Sequence, residues 1–224
     1  NGTSFIVLTG KAPSGPMEIL HSWANKGDLK INGKTLAFDS VNAFEISTKT
    51  ALLECQLPAG NYSVSLESVK APSDNESIAK VACPDLPALS CHLPNLLRLR
   101  GGTSTNIRLL SRQFNSPGSL DITGFGNFEM RGRMDLGGDL DLFANLGMDT
   151  ANTIISTGGH ATLTGHQLVK LGTIKAGREI GIGSAEGPVT VISPGSSIES
   201  IGSSITVAVG GQIHLNGTIK ANAN

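Results

Sequence analysis

The stretch Met134-Asp135-Leu136-Gly137-Gly138-Asp139-Leu140-Asp141-Leu142-Phe143-Ala144-Asn145-Leu146-Gly147-Met148 decides the fold. It contains three apolar-x-apolar units: Met134-x-Leu136, Leu140-x-Leu142 and Leu146-x-Met148. Alternation over so few residues is the pattern of a short strand with one buried face. The glycines between the first and second units mark a corner. The same pattern recurs along the chain. Met134, Ile154, Ile174, Ile198 and Ile219 form one column, with spacings of 20, 20, 24 and 21. Leu120, Leu140, Ala161, Ile180 and Ile205 form a second, spaced 20, 21, 19 and 25. Phe128, Met148, Leu168, Val189 and Ile213 form a third, spaced 20, 20, 21 and 24. All three absorb the same four or five extra residues between positions 183 and 204, which unrelated matches would not do. Three short strands in about twenty residues describe one coil of a parallel β-solenoid.

Stacked coils account for the composition. Of the 28 glycines, 22 lie after residue 100, and no aromatic residue follows Phe143. Collagen is excluded because glycine does not recur every third residue. A flexible linker does not fit the paired apolar residues between the glycines, from Ile174 to Leu215. Gly118, Gly138, Gly159 and Gly177 precede the second strand of successive coils, where a tight corner favours φ > 0. A core built from like residues at ~4.8 Å intervals suits Ile, Val and Leu and leaves little room for rings. Between the inward residues of the first column, the outward positions read Asp135, Ile155, Lys175, Glu199 and Lys220. Lys175, Glu199 and Lys220 are expected to stack as a ladder of alternating charge, favouring the correct register.

Residues 1–95 read as a separate β-rich region, either sandwich-like or a set of irregular early coils, and residues 96–224 as the solenoid. The strongest local signal is Leu29-Lys30-Ile31-Asn32-Gly33-Lys34-Thr35-Leu36, in which Asn-Gly between alternating strands predicts a two-residue hairpin. Further strands are expected at 4–8, 17–20, 41–47, 51–56, 62–68 and 78–83. The one candidate for a helical turn lies near Ile19–Ala24. Gly217-Thr218-Ile219-Lys220-Ala221 reads as the start of another repeat, as in a piece of a longer rod.

The 17 basic and 18 acidic residues leave a net charge of −1, without the clustered positive charge that nucleic acid would require. No window approaches the ~18 apolar residues of a spanning helix, so neither nucleic acid nor membrane insertion is expected. Cys83 and Cys91 flank a loop stiffened by two prolines and are the disulfide candidate. No catalytic residue and no cofactor is assigned, and the chain is read as a non-enzyme. The densest charge group is Glu129, Arg131, Arg133, Asp135, Asp139 and Asp141. Asp121 and Asp141, one coil apart, are the metal candidates. Carboxylates ~5 Å apart suit a retaining glycosidase or a hard cation such as Ca²⁺. The plain alternative is a solvated face.

Gly172-Thr173-Ile174-Lys175-Ala176-Gly177-Arg178-Glu179-Ile180, Gly210-Gly211-Gln212-Ile213-His214-Leu215 and Asn216-Gly217-Thr218-Ile219-Lys220-Ala221 resemble the repeats of filamentous-haemagglutinin-like bacterial exoproteins. The resemblance covers about residues 115–224. It implies a right-handed parallel β-helix in a large secreted or cell-surface protein, acting as an adhesive or structural rod. The implied partners are a host-cell or extracellular glycan or protein receptor, or further coils of the same chain. The first hundred residues lack the N-P-N-type motifs of that family's secretion domain. A weaker similarity is to bactofilin-type filament-forming solenoids, which implies self-association through exposed end coils. A polysaccharide-active β-helix enzyme is the remaining alternative.

Overall fold

The computed structural model describes residues 6–7, 17–22, 28–31, 34–37, 43–46, 50–57, 59–70, 77–82, 88–92, 95–185 and 189–222. Side-chain surroundings are described for 52–57, 59–68, 95–185 and 192–222. The first strands are β1 (Ile6–Val7), β2 (Met17–Ser22), β3 (Asp28–Ile31), β4 (Lys34–Ala37), β5 (Ala43–Ile46), β6 (Thr50–Gln56), β7 (Gly60–Lys70), β8 (Ser77–Ala82) and β9 (Ala88–His92). The regular coils follow as β10 (Leu96–Arg100) with β11 (Thr105–Ser116), β12 (Ser119–Phe125) with β13 (Phe128–Leu136), and β14 (Leu140–Ala144) with β15 (Met148–Thr157). Next come β16 (Ala161–Gly165) with β17 (Leu168–Ala176), and then β18 (Ile180–Ser184) with β19 (Val189–Ile192) and β20 (Ser197–Ser200). The last coil is β21 (Ile205–Val209), β22 (Gln212–Leu215) and β23 (Thr218–Ala221).

The chain is an all-β parallel solenoid. From β10 onward the two sheets are entirely parallel: one stacks β10, β12, β14, β16, β18 and β21, the other β11, β13, β15, β17 and the pairs after them. The strands of the second sheet are long because each runs over two faces of the coil. Ladder registers shift at the turn, between Arg112 and Phe114, Glu129 and Arg131, and Thr150 and Ile154. In the last two coils the extra residues separate the two halves. Thus β17 pairs with both β19 and β20, which continue to β22 and β23. Two of the three strands expected per coil are therefore one bent strand through most of the rod. The third begins at Met148, so Leu146-x-Met148 is displaced and Leu146 is exposed.

The column Leu120–Leu140–Ala161–Ile180–Ile205 is a ladder in register. The first column is Met134–Ile155–Ile174–Ile198–Ile219, which corrects the assignment of Ile154. Ile155 is fully buried and Ile154 is 50% exposed, while Ser156 takes the outward place expected for Ile155. The cause is a longer corner in β15: between Glu129 and Arg131 the chain advances two residues while β15 advances three. In the third column Met148 stacks on Val169 rather than Leu168, and Val169 is the fully buried residue.

Corner glycines are required for a different reason from the one expected. None of Gly118, Gly138, Gly159 and Gly177 has a positive φ. Instead, a Cβ on Gly137, Gly158 or Gly177 would lie 2.5, 2.5 or 2.3 Å from a carbonyl oxygen of the preceding coil. Gly132 does need the left-handed region, with φ of 104°, and a Cβ there would overlap the Ser111 carbonyl oxygen at 1.9 Å. Rings also enter the core: Phe114, Phe125 and Phe128 are buried in the coils of β11 to β13, with aliphatic residues beyond.

The N-terminal strands join the same two sheets. β6 pairs in parallel register with β10, and β7 with β11, forming a further coil. Beyond this coil the pairing is mixed, with β2 parallel to β6, and β5 parallel to β9 and β1. β8 lies antiparallel against β7 and β9, while β3 and β4 form the expected hairpin with Ile31 opposite Lys34. The Ile19–Ala24 candidate turn overlaps β2, which is extended through Ser22. Among the described residues there is no helix. Cys83 lies outside the described residues, and with it the Cys83–Cys91 pairing; Cys55 is buried in β6.

Candidate functional site

Parallel stacking turns a period of about twenty residues into outward rows along the rod, so residues one coil apart become neighbours at ~4.8 Å. On the face carried by β6, β10, β12 and β14 the central row is Glu54–Arg98–Asp121–Asp141. The structure brings Asp121 and Asp141 together as expected from their spacing. Arg98 changes their chemistry, because its Nε donates to Asp121 Oδ2 at 2.7 Å. Arg98 also reaches Glu54 at 3.6 Å. Its pKa is raised above the ordinary guanidinium value, first by the hydrogen bond to Asp121. Asp121 Oδ1 is buried without a hydrogen-bond partner, and Asp141 is exposed beside it. Among the described residues no group of three or more His, Cys, Asp or Glu side chains is placed to hold a metal ion.

An open groove of about 470 Å³ runs along the first half of the long strands. One wall is a ladder of amides. Asn106 Nδ2 donates to Asn61 Oδ1 at 2.8 Å. The Asn127 backbone N–H and its Nδ2 donate to Asn106 Oδ1 at 2.9 and 3.1 Å, and the Gly147 N–H donates to Asn127 Oδ1 at 3.2 Å. Two positions further along the strands runs the row Ser63–Arg108–Glu129–Asp149–Lys170. Arg108 contacts Glu129 at 2.8 Å, Arg131 contacts it at 2.6 Å, and Lys170 reaches Asp149 at 3.7 Å. The Arg108 guanidinium, with Arg131 beside it, holds the Glu129 carboxyl below its usual range. That shift favours a fixed anion over a proton donor at neutral pH. The groove thus offers hydrogen-bonding amides and balanced charge.

The charge cluster recognised in the sequence is split by the corners. Glu129, Arg131, Arg133 and Asp135 lie on β13, whereas Asp139 sits at a turn and accepts from the His160 N–H at 2.8 Å. The Lys175–Glu199–Lys220 ladder forms as expected, with both contacts at 3.5 Å. Glu199 is held below the usual carboxylate range, first by Lys175. The amide ladder was not recognised in the sequence, although its signal was present. Asn106 and Asn127 are 21 residues apart, as are Arg108 and Glu129, which matches the coil period.

No family model, curated protein or solved structure matches the chain.

Proposed function

We propose that this solenoid is a non-enzymatic structural and adhesive segment of a secreted or surface-exposed bacterial protein. One observation carries the reading: five ion pairs join outward charged side chains of successive coils. Arg98 engages Asp121, Arg108 engages Glu129, Lys170 engages Asp149, and Lys175 and Lys220 share Glu199. Such pairs at or near the surface contribute little stability each, but they favour the correct stacking register. The amide-lined groove is the natural contact site for an extracellular glycan or protein receptor.

The test is attachment of the purified chain to host-type cells or an extracellular glycan array, with acidic polysaccharides assayed for cleavage in the presence of Ca²⁺. Attachment without cleavage is expected. Cleavage that disappears in Asp141→Asn would establish the polysaccharide-active alternative instead. A second reading, self-association into filaments, rests on the similarity of the coils to filament-forming solenoids, in which like coils stack on one another. It predicts a sedimentation coefficient that rises with concentration, and a strictly monomeric profile would remove it.

A further inference from the structure

The corner between the two halves of β11 and β13 carries an arrangement that the adhesive reading does not by itself explain. Arg108, Leu110 and Arg112 occupy alternate outward positions on β11, and Arg131 and Arg133 do so on β13. Leu110 lies in register with Arg131, Arg112 with Arg133, and Arg133 with Ile154. The arginines project from a turn fixed by two left-handed residues, Gly132 and Gln113 (φ of 55°).

Four guanidinium groups here share few carboxylates. Glu129 is divided between Arg108 and Arg131, and Asp135 reaches Arg133 at 3.2 Å. Arg112 is exposed, and among the described residues it has no ion pair, although Glu67 is opposite it on β7. Like charges directly across two strands are destabilising. The Arg112–Arg133 pair is therefore a place where an added anion would relieve repulsion. Two large apolar side chains are exposed in the same lattice, Leu110 at 38% and Ile154 at 50%. A polyanion alone would leave both in water. Arginine beside exposed apolar side chains is instead the composition of protein-binding surfaces.

We propose that this corner docks an acidic, partly apolar segment of a partner protein, bound extended along β11. The inference rests on the adhesive reading and names the class of receptor. Outward residues two apart on a strand are ~6.6 Å apart. An extended segment reading acid-x-apolar-x-acid therefore matches Arg108, Leu110 and Arg112 in turn. A second acidic group can bridge Arg112 and Arg133, and Ile154 extends the apolar contact across the sheet.

The experiment is fluorescence anisotropy of the full chain with a labelled peptide of repeating Glu-Ser-Leu-Ser. Oligoglutamate of equal charge and a sulfated oligosaccharide serve as competitors. The Glu-Ser-Leu-Ser peptide is expected to bind, with Arg112→Glu/Arg133→Glu weakening it about tenfold. Leu110→Ser/Ile154→Ser should weaken it about threefold at an unchanged melting temperature. Absence of binding overturns the proposal. So does equal or tighter binding of oligoglutamate or the sulfated oligosaccharide together with indifference to Leu110→Ser/Ile154→Ser, which would mark a general polyanion surface. A chain that binds the peptide but supports no attachment keeps this surface and loses the adhesive reading. Attachment that survives Arg112→Glu/Arg133→Glu, with no peptide bound, does the reverse.

Discussion

Ile174 and Ile219 belong to the same inward column and have the same chemistry, but Ile174 is fully buried while Ile219 is 37% exposed. The difference is neighbours. Ile174 is stacked between Ile155 and Ile198, whereas Ile219 has a described coil on one side only. A residue in a solenoid thus gains its burial from the coils on either side more than from its own coil. The same contrast extends across whole strands: β18 alternates buried and half-buried residues, while every residue of β22 is exposed.

The largest expected effect breaks the middle of the stack. Ile174→Ala should cost about 2–5 kcal/mol, the range for removing a fully buried aliphatic side chain, measured by chemical denaturation. Gly132→Ala should follow at about 1–3 kcal/mol, because it forces a left-handed backbone on a residue with a Cβ and meets the Ser111 carbonyl. Ile219→Ala should cost about 1 kcal/mol or less, since much of its side chain stays in water. A loss as large as that of Ile174→Ala would mean that another surface covers the end coil in solution.

The smallest effect is electrostatic. The folded-state pKa of Glu129 is depressed, so its contribution is present above the unfolded value of about 4.3 and is lost as pH falls through the folded value. The melting temperature of the chain should exceed that of Glu129→Gln by a constant margin from about pH 5 to 8, equivalent to under about 1 kcal/mol. The margin should vanish in more acidic solution. A margin that grows on acidification would contradict the Arg108–Glu129–Arg131 geometry.

The coil period was legible because like residues recur wherever neighbouring coils touch. The Leu120–Ile205 column and the Lys175–Glu199–Lys220 ladder could therefore be read directly from spacing. Corners were less legible. Ile154 and Ile155 are chemically identical neighbours, so spacing alone could not show which one faces inward after a corner one residue longer than its predecessor. The Arg112–Arg133 pair was hidden for the same reason. Arg133 was visible within a dense charge cluster, but Arg112 becomes its neighbour only through stacking across β11 and β13. The early coil formed by β6 and β7 was obscured by the antiparallel strands around it, which interrupt the twenty-residue rhythm.

The stacking register is tested most directly at the two adjacent isoleucines of β15, by thermal melts of Ile154→Asp and Ile155→Asp under identical conditions. Burying an unpaired carboxylate at Ile155 should abolish the cooperative transition or lower it drastically. The same charge at Ile154, on the outward face, should leave the melting temperature within a few degrees of the parent. A collapse of Ile154→Asp with Ile155→Asp unaffected would contradict the register on which the account depends.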